Sequence, residues 1–91
     1  MAYRIVVLPS AEYDLQEIDP EVRRRILRRI VWLGENASQF VHHALTNMPK
    51  ELFGLCRLRV GDYRVLYWPD HGQLILKVYR IQHRSEVYRH L

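Results

Sequence analysis

The apolar positions at the start of the chain run almost without a break through Tyr3-Arg4-Ile5-Val6-Val7-Leu8 and stop at Pro9. Such a run reads as a first strand over residues 3–8. The period then changes. Ala11, Leu15 and Ile18 recur at helical spacing with Glu12, Asp14 and Glu17 outside them, and Ser10 is placed to cap this helix. Asp19-Pro20-Glu21 signals a fresh start: an N-cap, a proline at the first helical position and an acid in the first turn. The second helix sets Val22, Ile26, Ile30 and Leu33 along one side with Leu27 and Val31 beside them, and Gly34 is its expected end. From Glu35 to Lys50 no period is visible, and Asn36, Ser38, Asn47 and Pro49 mark a loop.

Alternation returns at Leu55. Residues 55–67 read as two strands joined at Gly61-Asp62, where glycine at the first central position suits a type II′ hairpin. That turn pairs Val60 with Tyr63, Arg59 with Arg64, Leu58 with Val65 and Arg57 with Leu66. Opposed residues point to the same side. Arg57, Arg59 and Arg64 therefore gather on one face, and Cys56, Leu58, Val60, Tyr63, Val65 and Tyr67 take the other. Trp68-Pro69-Asp70-His71-Gly72 reads as a turn. A last strand from Gln73 to Gln82 puts Leu74, Leu76 and Val78 on one face and Ile75, Lys77, Tyr79, Ile81 and His83 on the other, before a short helix from Ser85 to Leu91. Helices and strands kept apart in this order argue for an α+β fold. Its sheet is small and mostly antiparallel, with one N-terminal and three C-terminal strands, packed on a two-helix hairpin and left open on its other face. A chain of 91 residues fits one domain, 1–91.

Charge sharpens this picture. Residues 1–49 hold six basic and six acidic side chains, whereas residues 50–91 hold eight basic against four acidic, so the net +4 lies wholly in the C-terminal half. Twelve of the fourteen basic residues are arginine, whose guanidinium suits bidentate phosphate contacts. A basic half is the footprint of a nucleic-acid site, and an acidic protein partner is served equally well. Arg23-Arg24-Arg25 with Arg28-Arg29 is read as a solvated outer face pairing with the acidic first helix, in preference to a phosphate-binding helix. The single cysteine, Cys56, falls on the core face and reads as a buried thiol. His42-His43 has no supporting acid, cysteine or third histidine at metal-ligand spacing. No run approaches the ~20 residues that span a bilayer, and the opening apolar run is too short for a signal sequence; a cytoplasmic protein with no membrane partner is expected.

A sheet face bearing Arg57, Arg59 and Arg64, with Lys77, Tyr79 and His83 expected beside them, offers cations for phosphate and rings for base stacking. Cleavage by attack of a ribose 2′-hydroxyl needs more: a base for its proton, cations for the charge building on phosphorus, and an acid for the leaving oxygen. Arginine suits the second task and not the first, since it stays protonated. The proton-transfer candidates are His83, Tyr88 and, less favoured, Glu51. Tyr63, Tyr67, Trp32 and Trp68 are read as structural.

Arg57-Leu58-Arg59-Val60-Gly61-Asp62-Tyr63-Arg64-Val65-Leu66-Tyr67, followed one strand later by His83-Arg84-Ser85-Glu86-Val87-Tyr88, closely resembles the RelE/ParE superfamily of bacterial and archaeal type II toxins. The resemblance spans the whole chain and implies the RelE-like microbial RNase fold. It implies a ribosome-dependent mRNA endoribonuclease that needs no metal or other cofactor and is held inactive by a cognate antitoxin in a hetero-oligomer. Position by position, Arg57 and Arg59 match the family's basic strand pair, Arg64 its phosphate-contacting arginine, and Tyr88 its C-terminal tyrosine; Lys77 and Arg84 are counted with them as RNA-binding. The chain departs from the pattern in two respects. Some members carry lysines at the strand pair, where a lysine can act as base, and an arginine used by such members aligns with Gln82, leaving its role to His83 or Arg84. The rival readings are a ParE-like inhibitor of DNA gyrase and a non-catalytic member that holds an acidic protein.

Overall fold

A computed structural model describes residues 2–85. The chain forms β1 (Arg4–Val7), α1 (Pro9–Gln16), α2 (Pro20–Asn36), β2 (His43–Ala44), a 3-10 turn (Lys50–Leu52), β3 (Cys56–Val60), β4 (Tyr63–Asp70) and β5 (Ile75–His83). The strands make one mixed sheet in the order β1-β5-β4-β3-β2, antiparallel except for the parallel pair of β1 and β5. Its α+β architecture is the one the sequence predicts, with one addition: the two-residue β2, inside the expected loop, edges β3. Beyond Ser85 the expected terminal helix lies outside the described residues, and so does Tyr88.

Both helices lie on one side of the sheet. Ala11, Leu15 and Ile18 from the first helical segment and Ile26, Ile30 and Leu33 from α2 meet Cys56, Leu58, Val60, Val65, Tyr67, Leu76, Val78 and Ile81 in a single core. Asp19 caps α2 as expected, its carboxylate accepting the Glu21 N–H at 3.2 Å. Ser10 does not cap α1. That helix starts at Pro9, and the Ser10 hydroxyl instead donates to the Tyr79 carbonyl at 2.7 Å, tying α1 to β5. Gly34 does not end α2 either, since the helix runs on to Asn36. Its lack of a side chain serves the approach of β1: a Cβ there would stand 2.8 Å from Ile5 Cδ1 and 3.1 Å from the Tyr3 carbonyl. The Gly34 carbonyl accepts the Tyr3 N–H at 2.8 Å. Strand β4 extends through Pro69 into the expected turn. The proline is tolerated because β3 ends opposite Tyr67, which leaves that side of β4 unpaired.

The α2 arginines are unlike the expected paired face. Among the described residues none of Arg24, Arg25, Arg28 and Arg29 has a carboxylate within 4.0 Å. Asp14 of α1 is engaged elsewhere, accepting Arg80 Nε at 2.8 Å, Arg80 Nη2 at 3.2 Å and the Ile81 N–H at 2.8 Å. No helix among the described residues is long and apolar enough to cross a membrane.

Candidate anion-binding site on the sheet

The hairpin is built as its turn chemistry dictates. Gly61 has φ +58° and Asp62 has no positive φ, as a type II′ turn requires. The register follows: Val60 opposes Tyr63, Arg59 opposes Arg64, Leu58 opposes Val65 and Arg57 opposes Leu66. Arg57, Arg59 and Arg64 accordingly share the face turned away from the helices. That face is less open than the alternation suggests. Arg57 and Arg59 are exposed, but Arg64, Leu66 and Gln82 retain only 9%, 1% and 5% of their surface. Leu66 sits between Arg57 and Arg80 across the ladder, where long guanidinium stems shield an apolar neighbour.

Strand β5 departs from simple alternation. Leu66 pairs with Arg80 and Tyr67 with Val78, so Tyr79 is the extra residue of a bulge, and every side chain after it changes face. Ile81 and His83 therefore turn to the core side, and Arg80 and Gln82 turn to the arginine side. The expectation that His83 stands beside the arginines is corrected by this bulge. Its ring packs edge-on against Tyr63, with centroids 5.4 Å apart. The Ser85 N–H donates to His83 Nδ1 at 3.3 Å, which makes Nδ1 an acceptor.

Lys77 keeps the expected face but pairs with Trp68, four positions along β4 from Arg64, and lines a separate depression with Leu8, Trp68 and Asp70. Tyr79 rests against Trp68 there, 5.1 Å between ring centroids. Arg84 lies exposed beside the hairpin turn, its N–H donating to the Asp62 carbonyl at 2.7 Å and its guanidinium 4.0 Å from the Asp62 carboxylate. Glu51 is exposed on the 3-10 turn.

What the structure does bring together is a depression of about 340 Å³ lined by Arg57, Arg59, Arg64 and His43. His43 belongs to β2 and stands directly opposite Arg57, so both project to the same side. The sequence carries no periodic signal for this position, because a two-residue strand is too short to show one. Among the described residues no carboxylate lies within 4.0 Å of the three guanidinium groups. Among the described residues Arg64 donates to the Tyr63 carbonyl, at 3.2 Å, and to no other group. A nearly buried cation that has no counter-ion among the described residues, flanked by two more, is suited to receive an anion. Gln82 is buried opposite Arg64, and among the described residues its side-chain oxygen finds no donor. Arg59 also lines a second depression with Arg25, Arg28, Arg29 and Trp32, so positive charge continues around the sheet edge.

The neighbouring histidine is used differently. His42 Nε2 donates to the Ala37 carbonyl at 2.8 Å, and its Nδ1 accepts from the Tyr67 hydroxyl at 2.5 Å. Burial pushes the Tyr67 phenol well above its ordinary range, with proximity to Cys56 adding to it, and burial likewise raises the Cys56 thiol. The cysteine is thus the buried structural thiol the sequence predicts. Among the described residues no three His, Cys, Asp or Glu side chains converge as a metal site.

The chain matches the family described as ParE toxin of type II toxin-antitoxin systems over residues 5–88. It belongs to that family of toxins. The toxin is 29% identical to Toxin RelG of Mycobacterium tuberculosis over 97 residues, covering 98% of this chain and 99% of that one. Its fold is that of the toxin-antitoxin complex RelBE2 of M. tuberculosis, with TM-score 0.78 at 24% identity over 93% of this chain and 94% of the other. A mutant of E. coli toxin RelE in the free state matches with TM-score 0.74 at 19% identity, over 98% and 93% of the two chains. The RelE of Pyrococcus horikoshii, solved in complex with RelB, matches with TM-score 0.71 at 23% identity, over 93% and 98%. The toxin is thus a member of the RelE/ParE superfamily with the RelE-like fold.

Proposed function

We propose that this toxin is an endoribonuclease that cuts mRNA on the ribosome and is held inactive by a cognate antitoxin. The observation that supports this reading is the trio of arginines around the nearly buried Arg64, with no carboxylate beside them among the described residues, which suits a phosphodiester whose charge grows during in-line attack. The likeness to Toxin RelG and to RelE folds supports it. Arg57 and Arg59 hold phosphate, Arg64 stabilises the transition state, and Lys77 and Arg84 extend the RNA track on either side. Proton transfer in the C-terminal segment falls to His83 or Tyr88; Tyr88 is favoured, because the His83 ring is engaged with Tyr63 and Ser85. The antitoxin is expected to lay an acidic, amphipathic segment over the basic face, as the RelB complexes of related toxins suggest.

Inhibition of DNA gyrase by binding is the second reading, favoured by the ParE name of the matching family. One experiment separates the two: the toxin is induced alone in a bacterial cell and mRNA ends are mapped on ribosomes. New ends within coding sequence that disappear with Arg64→Ala are expected. Arrest with intact mRNA and damaged DNA would overturn the nuclease reading in favour of gyrase.

A further inference from the structure

Arginine cannot accept the 2′-hydroxyl proton, because it stays protonated. Arg57, Arg59 and Arg64 are therefore all unsuited to the task, and the base must come from another side chain. Of the described side chains lining the arginine depression, His43 is the one that is not a guanidinium, and an imidazole nitrogen has a lone pair that can accept a proton. We propose that His43 is the general base of the cleavage reaction, an inference that rests on the nuclease reading above.

Its placement fits the task. Cross-strand pairing sets its Cβ roughly 5 Å from that of Arg57, so a phosphodiester held by Arg57 presents its adjoining ribose to the imidazole. The ring is exposed and, among the described residues, makes no hydrogen bond; its one ring contact is Phe40, edge-on at 6.5 Å. The charged groups facing it are Arg57, Arg59 and Arg64, with no carboxylate among the described residues to compete for the ring. His42, one residue earlier, has both nitrogens committed and points into the fold, so the two adjacent histidines divide a structural and a chemical role.

In the reaction, a His43 ring nitrogen takes the 2′-hydroxyl proton as the 2′-oxygen forms its bond to phosphorus. The bond from phosphorus to the 5′-oxygen breaks, and that oxygen keeps the electron pair and takes a proton from water or from Tyr88. The products are a 2′,3′-cyclic phosphate and a 5′-hydroxyl, and the imidazolium returns its proton to solvent.

The test uses the full chain with programmed ribosomes, comparing wild type, His43→Gln, His43→Ala and Arg64→Ala under single-turnover conditions. Both His43 variants should cleave at least 100-fold more slowly while binding ribosomes within about threefold of wild type. The acid-side limb of the pH–rate profile should vanish in His43→Gln, and added imidazole should restore part of the His43→Ala rate, which it does only for a folded protein. Cleavage by both His43 variants within threefold of wild type with an unchanged profile, while Arg64→Ala is impaired, overturns the base and leaves the nuclease reading standing. A rate loss matched by an equal loss of binding, without imidazole rescue, also overturns it. A wild-type protein that cuts no RNA on ribosomes overturns both.

Discussion

Tyr67 carries its phenol into the core, fully buried, with His42 as its hydrogen-bond partner. Its raised pKa has a definite sign for stability. The unfolded chain loses the proton near the ordinary value of 10.0 while the folded chain keeps it, so the stabilisation is complete below that pH and is lost as pH rises above it. Cys56 acts in the same direction from its ordinary value of 9.0. Stability measured in urea is therefore expected to fall between pH 9 and 11, by up to about 1.4 kcal/mol per pH unit for each group. In Tyr67→Phe the fall is smaller, and at pH 7 that variant loses about 1 to 2 kcal/mol because His42 Nδ1 loses its donor. Gly34→Ala is expected to cost about 1 to 3 kcal/mol, since the new methyl meets Ile5 and the Tyr3 carbonyl; urea midpoints measure it, and a neutral result would mean that β1 shifts freely. Sequence spacing cast Gly34 as a helix stop because glycine serves both purposes, and only the packing of β1 tells them apart.

Among the elements, the hairpin was fully legible and β5 was only half so. Gly61-Asp62 fixes the turn, the turn fixes the register, and the register fixes which face the three arginines share. A bulge has no such local signature. Tyr79 looks like any other strand residue, so alternation carried past it assigns Ile81 and His83 to the wrong side, and the error falls on a proposed catalytic residue. Just past the bulge, where β5 has run beyond the end of β1, α1 covers its edge through Asp14, which holds Arg80 and the Ile81 N–H together. Asp14→Ala is expected to cost about 2 kcal/mol, mostly from the unpaired backbone N–H rather than from the part-exposed ion pair. Hydrogen exchange at Ile81 should quicken by one to two orders of magnitude; unchanged exchange would show that the edge is held by other contacts.

Over the whole molecule, the net positive charge belongs to the C-terminal half, yet Arg25, Arg28 and Arg29 of α2 extend it around the β3 edge. On the proposed reading, the sheet-face trio alone contributes a salt slope of roughly −2 in log affinity for single-stranded RNA. Arg57→Gln combined with Arg59→Gln should reduce the observed slope by about 1.4, and an unchanged slope would remove these arginines from the phosphate path. The overall α+β plan was readable because strands and helices occupy separate stretches, whereas the place of β1 was not, since strand order leaves no trace in local pattern. Arg4 pairs with Ile75, 71 positions later, and the sheet is completed through that parallel contact. A ribosome synthesising this chain makes the first strand long before its partner exists, so the sheet cannot close until translation has passed β5. Any activity that depends on the finished sheet is therefore withheld from the nascent chain, and the message that encodes the toxin is read through β5 before the chain it specifies can act.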